Sequence, residues 1–124
     1  MKITLVTVGK IKEKFYVDAI GEYAKRLGKY CRLEIISVAD EKTPDHAGEA
    51  VETRIREKEG DRILANIKDG AYVIALAIEG VMLDSVELSN KIEALGVGGV
   101  SQIVFVIGGS LGLSKAVLSR LVLD

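Results

Sequence analysis

A short apolar run that ends in glycine constrains the fold of this chain more than any other stretch. Residues 103–107 are all apolar and mostly β-branched, which is typical of a strand buried on both faces of a parallel sheet. Three glycines follow within residues 108–112, and Ser114 stands where a helix N-cap is expected. We call residues 108–114 the glycine loop. Ligands of open α/β sheets bind just outside the carboxyl ends of strands, so this loop is a candidate binding site. A tight turn without a ligand is the alternative interpretation.

Three further apolar runs alternate with helical patterns along the chain. We predict strands over residues 3–8, 33–38, 72–78 and 103–107, and helices over residues 13–27 and 49–68, from Asp84 and after Ser114. Asp84 and Glu87 have the spacing of a capping box. Strands joined through helices favour a parallel sheet, and 124 residues suffice for one core. The prediction is a single α/β domain over residues 1–124, with a parallel sheet flanked by helices.

Two of the helices carry specific expectations about packing. In residues 13–27, Phe15, Tyr23 and Leu27 belong to one apolar stripe, which we expect to be buried. In residues 49–68, Gly60 interrupts the helical pattern at a cost of about 1 kcal/mol relative to alanine. We therefore expect close packing against a neighbouring element at Gly60, with a local kink as the alternative. The helix that starts at Asp84 should bury a stripe formed by Leu88, Ile92 and Leu95.

Basic residues cluster near the start of the chain, although the formal net charge is only −1. Residues 1–32 hold eight basic side chains and three acidic ones. Lys10, Lys12 and Lys14 follow the first strand, on the carboxyl side of the sheet that the glycine loop shares. We predict that these three lysines contact RNA phosphates, which supply affinity without reading sequence. A solvated surface without a partner is the alternative interpretation.

The chain's cysteine and histidine content gives little support to several kinds of site. Cys31 is the only cysteine, which rules out an internal disulfide and fits a reducing, cytoplasmic compartment. His46 is the only histidine, so a zinc cluster or a triad with a histidine base has little support. The longest apolar run, residues 71–78, is far too short to span a bilayer. We expect neither a metal nor a membrane as a partner.

Several segments occur in an order that resembles one enzyme family. They are the first ten residues, residues 22–27, the run Glu-Lys-Glu-Gly at 57–60 with Ile63-Leu64, and Phe-Val-Ile-Gly-Gly-Ser at 105–110 with Gly-Leu-Ser at 112–114. Together they resemble the bacterial large-subunit ribosomal RNA pseudouridine N3-methyltransferases of the SPOUT superfamily. The resemblance covers essentially the whole chain.

The resemblance implies a fold, a reaction and a set of partners. The fold is an α/β sheet with a C-terminal trefoil knot. The reaction transfers a methyl group from S-adenosylmethionine to N3 of a pseudouridine in large-subunit ribosomal RNA, within the assembled ribosome. Family members are cytoplasmic homodimers. The family continues beyond the position of Asp124 through a strand, a proline-histidine loop and a helix, so we expect the knot to be incomplete in this chain.

The resemblance also maps cofactor contacts onto this sequence. The leucine at the end of the third strand corresponds to Leu76, and the first glycine after the fourth strand corresponds to Gly108. Gly80 and Gly109 line the same region. No residue is an obvious catalytic base, so that role is left unassigned. The alternative hypothesis is a non-catalytic ligand-binding or RNA-binding relative that has lost the C-terminal knot.

Overall fold

Strands and helices alternate along the chain, as its pattern predicts. The computed structural model describes residues 1–9, 14–76, 82–109 and 111–119. Its elements in chain order are β1 (Lys2–Val8), α1 (Lys14–Leu27), β2 (Arg32–Val38), α2 (Glu49–Leu64), β3 (Tyr72–Ala75), α3 (Ser85–Val97), β4 (Gln102–Ile107) and α4 (Lys115–Ser119).

The strands form a parallel sheet, which confirms the predicted fold class. Their order in the sheet is β2-β1-β4-β3, and every neighbouring pair is parallel. Val106 of β4 pairs with Val6 on one side and with Ala75 on the other. Because the strands all run in one direction, their carboxyl ends meet at a single edge of the sheet. The glycine loop leaves from that edge.

The core lies between one face of the sheet and helices α2 and α4. Ile63 of α2 and Val117 of α4 are almost completely buried and pack with valines from the strands. The fully buried strand valines are Val6, Val73, Val104 and Val106. On the other face, Lys91 of α3 places its Nζ 5.9 Å from the ring centre of Tyr72. Side chains alternate along a strand, so Tyr72 and the buried Val73 point to opposite faces. The described sheet therefore carries helices on both faces.

The apolar stripe of α1 is exposed, so the prediction that it is buried was wrong. Phe15 is 77% exposed, Tyr23 65% and Leu27 46%. The main contact of α1 within the described residues is with β2. An apolar stripe identifies an amphipathic helix, but the periodicity carries no information about what covers it. The predicted stripe of α3 is half-buried, at Leu88, Ile92 and Leu95.

The sequence predicted the capped start of α3 correctly but placed the end of α2 too late. The capping box of α3 is present, and Asp84 Oδ1 accepts a hydrogen bond from Glu87 N at 2.8 Å. Helix α2 ends at Leu64, short of the predicted residue 68. Past that point Asn66 N donates to Ile63 O at 3.0 Å, a tighter turn than an α-helix makes. The short polar side chain of Asn66 also bonds locally to the backbone, which competes with continuation of the helix.

Candidate functional site

The glycine loop folds back on itself directly after β4. Gly112 N donates a hydrogen bond to Gly109 O at 3.0 Å, and the two residues form an isolated antiparallel bridge. Gly112 has φ +84°, in the left-handed region that favours glycine. A Cβ built on Gly108 would lie 2.9 Å from both the carbonyl carbon and the oxygen of Gly112. The close approach at Gly108 and the backbone angle at Gly112 therefore both call for glycine.

Ser114 ends the loop and caps α4, as predicted. Its Oγ accepts a hydrogen bond from Val117 N at 3.2 Å. Ser114 is buried against Gly60 of α2, where a methyl group would overlap Ser114 Oγ and come within 3.2 Å of Val117 Cγ2. The close packing predicted at Gly60 is confirmed. A glycine in the middle of α2 makes room for the start of α4.

Gly60→Ala should lower the free energy of unfolding. The added methyl meets the capping serine, and overpacking of this kind costs about 1–3 kcal/mol, with the loss of the cap in addition. This outweighs the gain of about 1 kcal/mol in helix propensity. Urea denaturation measures the change. The matched control is Gly21→Ala in α1, where an added Cβ would meet nothing within 4 Å and alanine should stabilise the chain. A Gly60→Ala chain as stable as Gly21→Ala would contradict the packing described here.

Leu76 lies at the same edge of the sheet as the glycine loop. Leu76 N donates to Val106 O at 2.9 Å, which extends the ladder between β3 and β4 by one residue. The side chains of Leu76 and Ile107 are 55% and 36% exposed. Because Val106 is buried and side chains alternate, these two neighbours lie on the opposite face of the sheet. The edge thus combines side-chain-free glycine backbone with an exposed apolar wall, a surface suited to a ligand with an apolar ring.

The structure brings some of the predicted site residues together. Gly108 and Gly109 of the loop and Leu76 of the neighbouring strand end lie at one edge of the sheet. Lys14 is the first residue of α1 and is exposed. Three other predicted site residues lie outside the described part of the chain: Lys10, Lys12 and Gly80.

Sequence reasoning missed Glu59 of α2, which lies beside the glycine loop. Glu59 is only 4% exposed, and its Oε2 accepts a hydrogen bond from Glu41 N at 2.9 Å. The other oxygen, Oε1, is buried without a hydrogen-bond partner. A Cβ built on Gly109 would lie 2.9 Å from that oxygen. The spacing contained a signal, since Glu59 falls four residues from both Ile55 and Ile63 and so lies within the apolar stripe of α2.

Helix α2 contacts the glycine loop at a third point through Arg56. Its Nη1 donates to Leu111 O at 3.4 Å, while Nη2 donates to Thr53 Oγ1 at 3.3 Å. Glu59, Arg56 and Gly60 of this one helix lie against the beginning, middle and end of the loop, at Gly109, Leu111 and Ser114 respectively. We infer that the shape of the glycine loop is set largely by α2.

Glu41, in the segment after β2, forms ion pairs with two basic residues of α2. Its Oε2 lies 3.1 Å from Arg62 Nη2, and its Oε1 lies 3.5 Å from Lys58 Nζ. Arg62 also donates to Ala39 O at 2.9 Å through Nη1. The hydrogen bond from Arg62, together with the positive charges of Arg62 and Lys58, holds the pKa of Glu41 below its ordinary value of 4.5. The ionised form of Glu41 is therefore favoured in the folded chain.

The lowered pKa of Glu41 predicts a pH dependence of stability. A carboxyl group whose pKa is lower in the folded state stabilises the fold above its unfolded pKa, and this contribution is lost as the pH falls through the folded value. Between neutral pH and pH 4.5, Arg62→Gln should therefore cost stability, and the cost should shrink as the pH falls further. Urea denaturation across this range measures it. The control is Arg26→Gln, which breaks an exposed pair with Glu22. Parallel pH profiles for Arg62→Gln and the unaltered chain would contradict the assignment.

A shallow groove of about 510 Å³ runs along the start of α2 and is separate from the site described above. Among the described residues, its lining comes from that one helix alone: Glu49, Ala50, Thr53, Arg54 and Glu57. In the described part of the chain, no group of three histidine, cysteine or acidic side chains could hold a metal ion. No helix within the same residues is long and apolar enough to cross a membrane.

The chain matches known proteins over nearly its whole length. Residues 1–123 match a family model described as predicted SPOUT methyltransferase. A protein of Bifidobacterium adolescentis, named ribosomal RNA large subunit methyltransferase H, is 60% identical over 120 residues. Proteins of the same name from Clostridium tetani and Clostridium acetobutylicum are both 58% identical over 120 residues. Each alignment covers 97% of this chain and 76% of the relative.

Proposed function

We propose a function for this chain from the premise that it belongs to the SPOUT methyltransferase family. The chain is a methyltransferase of large-subunit ribosomal RNA, the activity named for relatives up to 60% identical to it. The proposed position of the site rests on one observation: the glycine loop lies at the carboxyl edge of a parallel sheet. The finer details of cofactor, acceptor atom and partners are proposals.

The methyl donor that we propose is S-adenosylmethionine, bound at the glycine loop and Leu76. When bound, it supplies a methyl group on a positively charged sulfur. Gly108 and Gly109 present backbone without side chains, which lets a ligand approach closely. Leu76 and Ile107 present the exposed apolar surface that the adenine ring needs. These features of the chain's own residues support the proposed cofactor.

The acceptor that we propose is N3 of a pseudouridine in the assembled ribosome. The nitrogen must approach the methyl carbon in line with the breaking carbon–sulfur bond, so accurate positioning supplies much of the acceleration. The proton on N3 must pass to a base as the new bond forms. Glu59 is buried beside the loop, so we do not assign it this role. The contribution that we propose for the described residues is to hold the cofactor.

We propose that the chain acts in the cytoplasm, on ribosomes, as a homodimer. The exposed apolar stripe of α1 supports pairing with a second copy, because apolar patches of this kind mark interaction surfaces. Tyr16 and Ile20 add to the stripe beside Phe15 and Tyr23. Sedimentation equilibrium tests the proposal by asking whether the mass in solution is 13.4 kDa or twice that value.

A methyl-transfer assay tests the proposed function. The chain is incubated with S-adenosylmethionine carrying a labelled methyl group and with ribosomes from cells that lack the modification. Label should enter large-subunit ribosomal RNA, and nucleoside analysis should find it on N3 of pseudouridine. Isolated subunits serve as the comparison, because the proposed substrate is the assembled ribosome. Cofactor binding without any methyl transfer would instead favour a non-catalytic relative.

A further inference from the structure

We propose that Glu59 is a positioning residue for the cofactor. Its Oε1 accepts a hydrogen bond from a backbone N–H of the glycine loop when the loop adopts its ligand-bound shape. This inference rests on the proposed cofactor, and it adds to that site a residue that does not touch the ligand.

The two carboxylate oxygens of Glu59 have different surroundings. Oε2 is held by Glu41 N at 2.9 Å, whereas Oε1 is buried and has no partner. A buried acceptor without a donor raises the free energy of the arrangement that contains it. The carboxylate cannot turn to find a donor for Oε1 without giving up the bond from Glu41. A loop shape that brings a donor to Oε1 is therefore favoured over one that does not.

The backbone of the glycine loop lies close enough to Glu59 to supply a donor. A Cβ on Gly109 would lie 2.9 Å from Oε1 and 3.3 Å from Oε2, so the backbone of the loop is immediately beside the carboxylate. The same position is 3.2 Å from Val8 Cγ1, which offers only hydrocarbon. The donors that we propose are therefore the backbone N–H groups of Gly108 and Gly109. Glycine allows these peptide units to turn at low cost.

The contact between Glu59 and the loop is coupled to ligand binding. Gly108 and Gly109 are consecutive, so a peptide that turns towards Glu59 also changes the surface that the loop presents beside Leu76. A ligand that binds one loop shape better shifts the equilibrium towards that shape. If that shape also satisfies Oε1, the hydrogen bond is gained on binding and adds to the affinity.

Glu59→Gln tests the proposal because it keeps the size of the side chain and changes one polar group. The amide oxygen of glutamine takes the hydrogen bond from Glu41 N, which leaves the NH₂ group in the position of Oε1. A backbone N–H of the loop then faces the NH₂ donor of glutamine where the carboxylate oxygen would have accepted its hydrogen bond. Calorimetric titration should show S-adenosylmethionine affinity about tenfold lower. The melting temperature of the ligand-free chain should stay nearly the same, because an unpartnered buried acceptor is replaced by an unpartnered buried donor of the same size.

A loss of affinity without a loss of stability separates positioning from a merely structural role, which would lower both. The matched control is Glu57→Gln, the same change of charge at an exposed position of the same helix, which should leave affinity unchanged. Gly109→Ala probes the contact from the side of the loop, since its methyl displaces the carboxylate. Adding Glu59→Ala to Gly109→Ala makes room for that methyl and should restore part of the lost affinity.

Each outcome decides the proposal. Weaker binding by Glu59→Gln with undiminished stability supports it. If the unaltered chain binds S-adenosylmethionine and Glu59→Gln binds it equally well, the inference is overturned while the proposed cofactor stands. If the unaltered chain binds none, the proposed cofactor fails and the inference with it. If Glu59→Gln does not fold, the Gly109 pair decides, and equal affinity with and without Glu59→Ala overturns the inference.

Discussion

Gly108→Val is expected to reduce S-adenosylmethionine affinity about a hundredfold. A Cβ at this position lies 2.9 Å from the backbone of Gly112 and 2.9 Å from Leu113 Cδ2, before the two valine methyls are added. The resemblance maps a cofactor contact onto Gly108, which suggests that valine there would occupy space needed by the ligand. The structure gives a different first cause, because the side chain would push the loop apart from within. Calorimetric titration of the ligand measures the effect.

Two further variants test whether the loss of affinity is specific to a side chain at Gly108. Gly48→Val adds the same side chain to extended backbone where an added Cβ would meet nothing within 4 Å, and it should leave affinity unchanged. Leu76→Ala should weaken binding by about tenfold, since it removes part of an apolar contact and leaves the loop intact. Unaltered affinity in a folded Gly108→Val chain would remove the glycine loop from the cofactor site.

Replacement of Lys10, Lys12 and Lys14 by glutamine should weaken ribosome binding and flatten its salt dependence. Each lysine that contacts a phosphate releases bound counterions, so losing three should lower the slope of log affinity against log salt by about 2. Lys14 opens α1 and is exposed. Filter binding of the ribosome at several salt concentrations measures the slope. Affinity for S-adenosylmethionine should be nearly unchanged.

The control for this prediction is a second basic triplet at the other end of α1. Lys25 and Arg26 lie in its last turn, where cations interact favourably with the helix dipole, and Lys29 follows. Their replacement by glutamine should act mainly on stability. An equal loss of ribosome affinity in both triple variants would show a general charge effect, and no loss in the first would show a solvated surface.

The sequence predicted the order of elements and several local contacts of the site. The apolar runs indicated a parallel sheet because buried strands and amphipathic helices have different periods. Ser114 was identifiable as a cap, and Gly60 as a point of close packing, since each residue type has a strong local reason to stand there. These inferences need only the neighbouring residues in the sequence and the general conformational preferences of serine and glycine.

Other features depend on partners that sequence spacing does not reveal. The stripe of α1 has the period of a buried surface, yet Phe15 and Tyr23 are exposed, because burial depends on which element packs there. Glu59 lies in an apolar stripe, which signals a buried carboxylate, but only the fold brings Gly109 and Glu41 N beside it. Long-range contacts of this kind complete the site.

The most direct test of the proposed cofactor site is an NMR titration of the isotope-labelled chain with S-adenosylmethionine. The ligand should shift the backbone amide signals of Leu76, Gly108, Gly109 and Gly112, with smaller changes in α1 and in the start of α2. Shifts confined to α1 or to the groove at Thr53 and Glu57, with the glycine loop unaffected, would contradict the account.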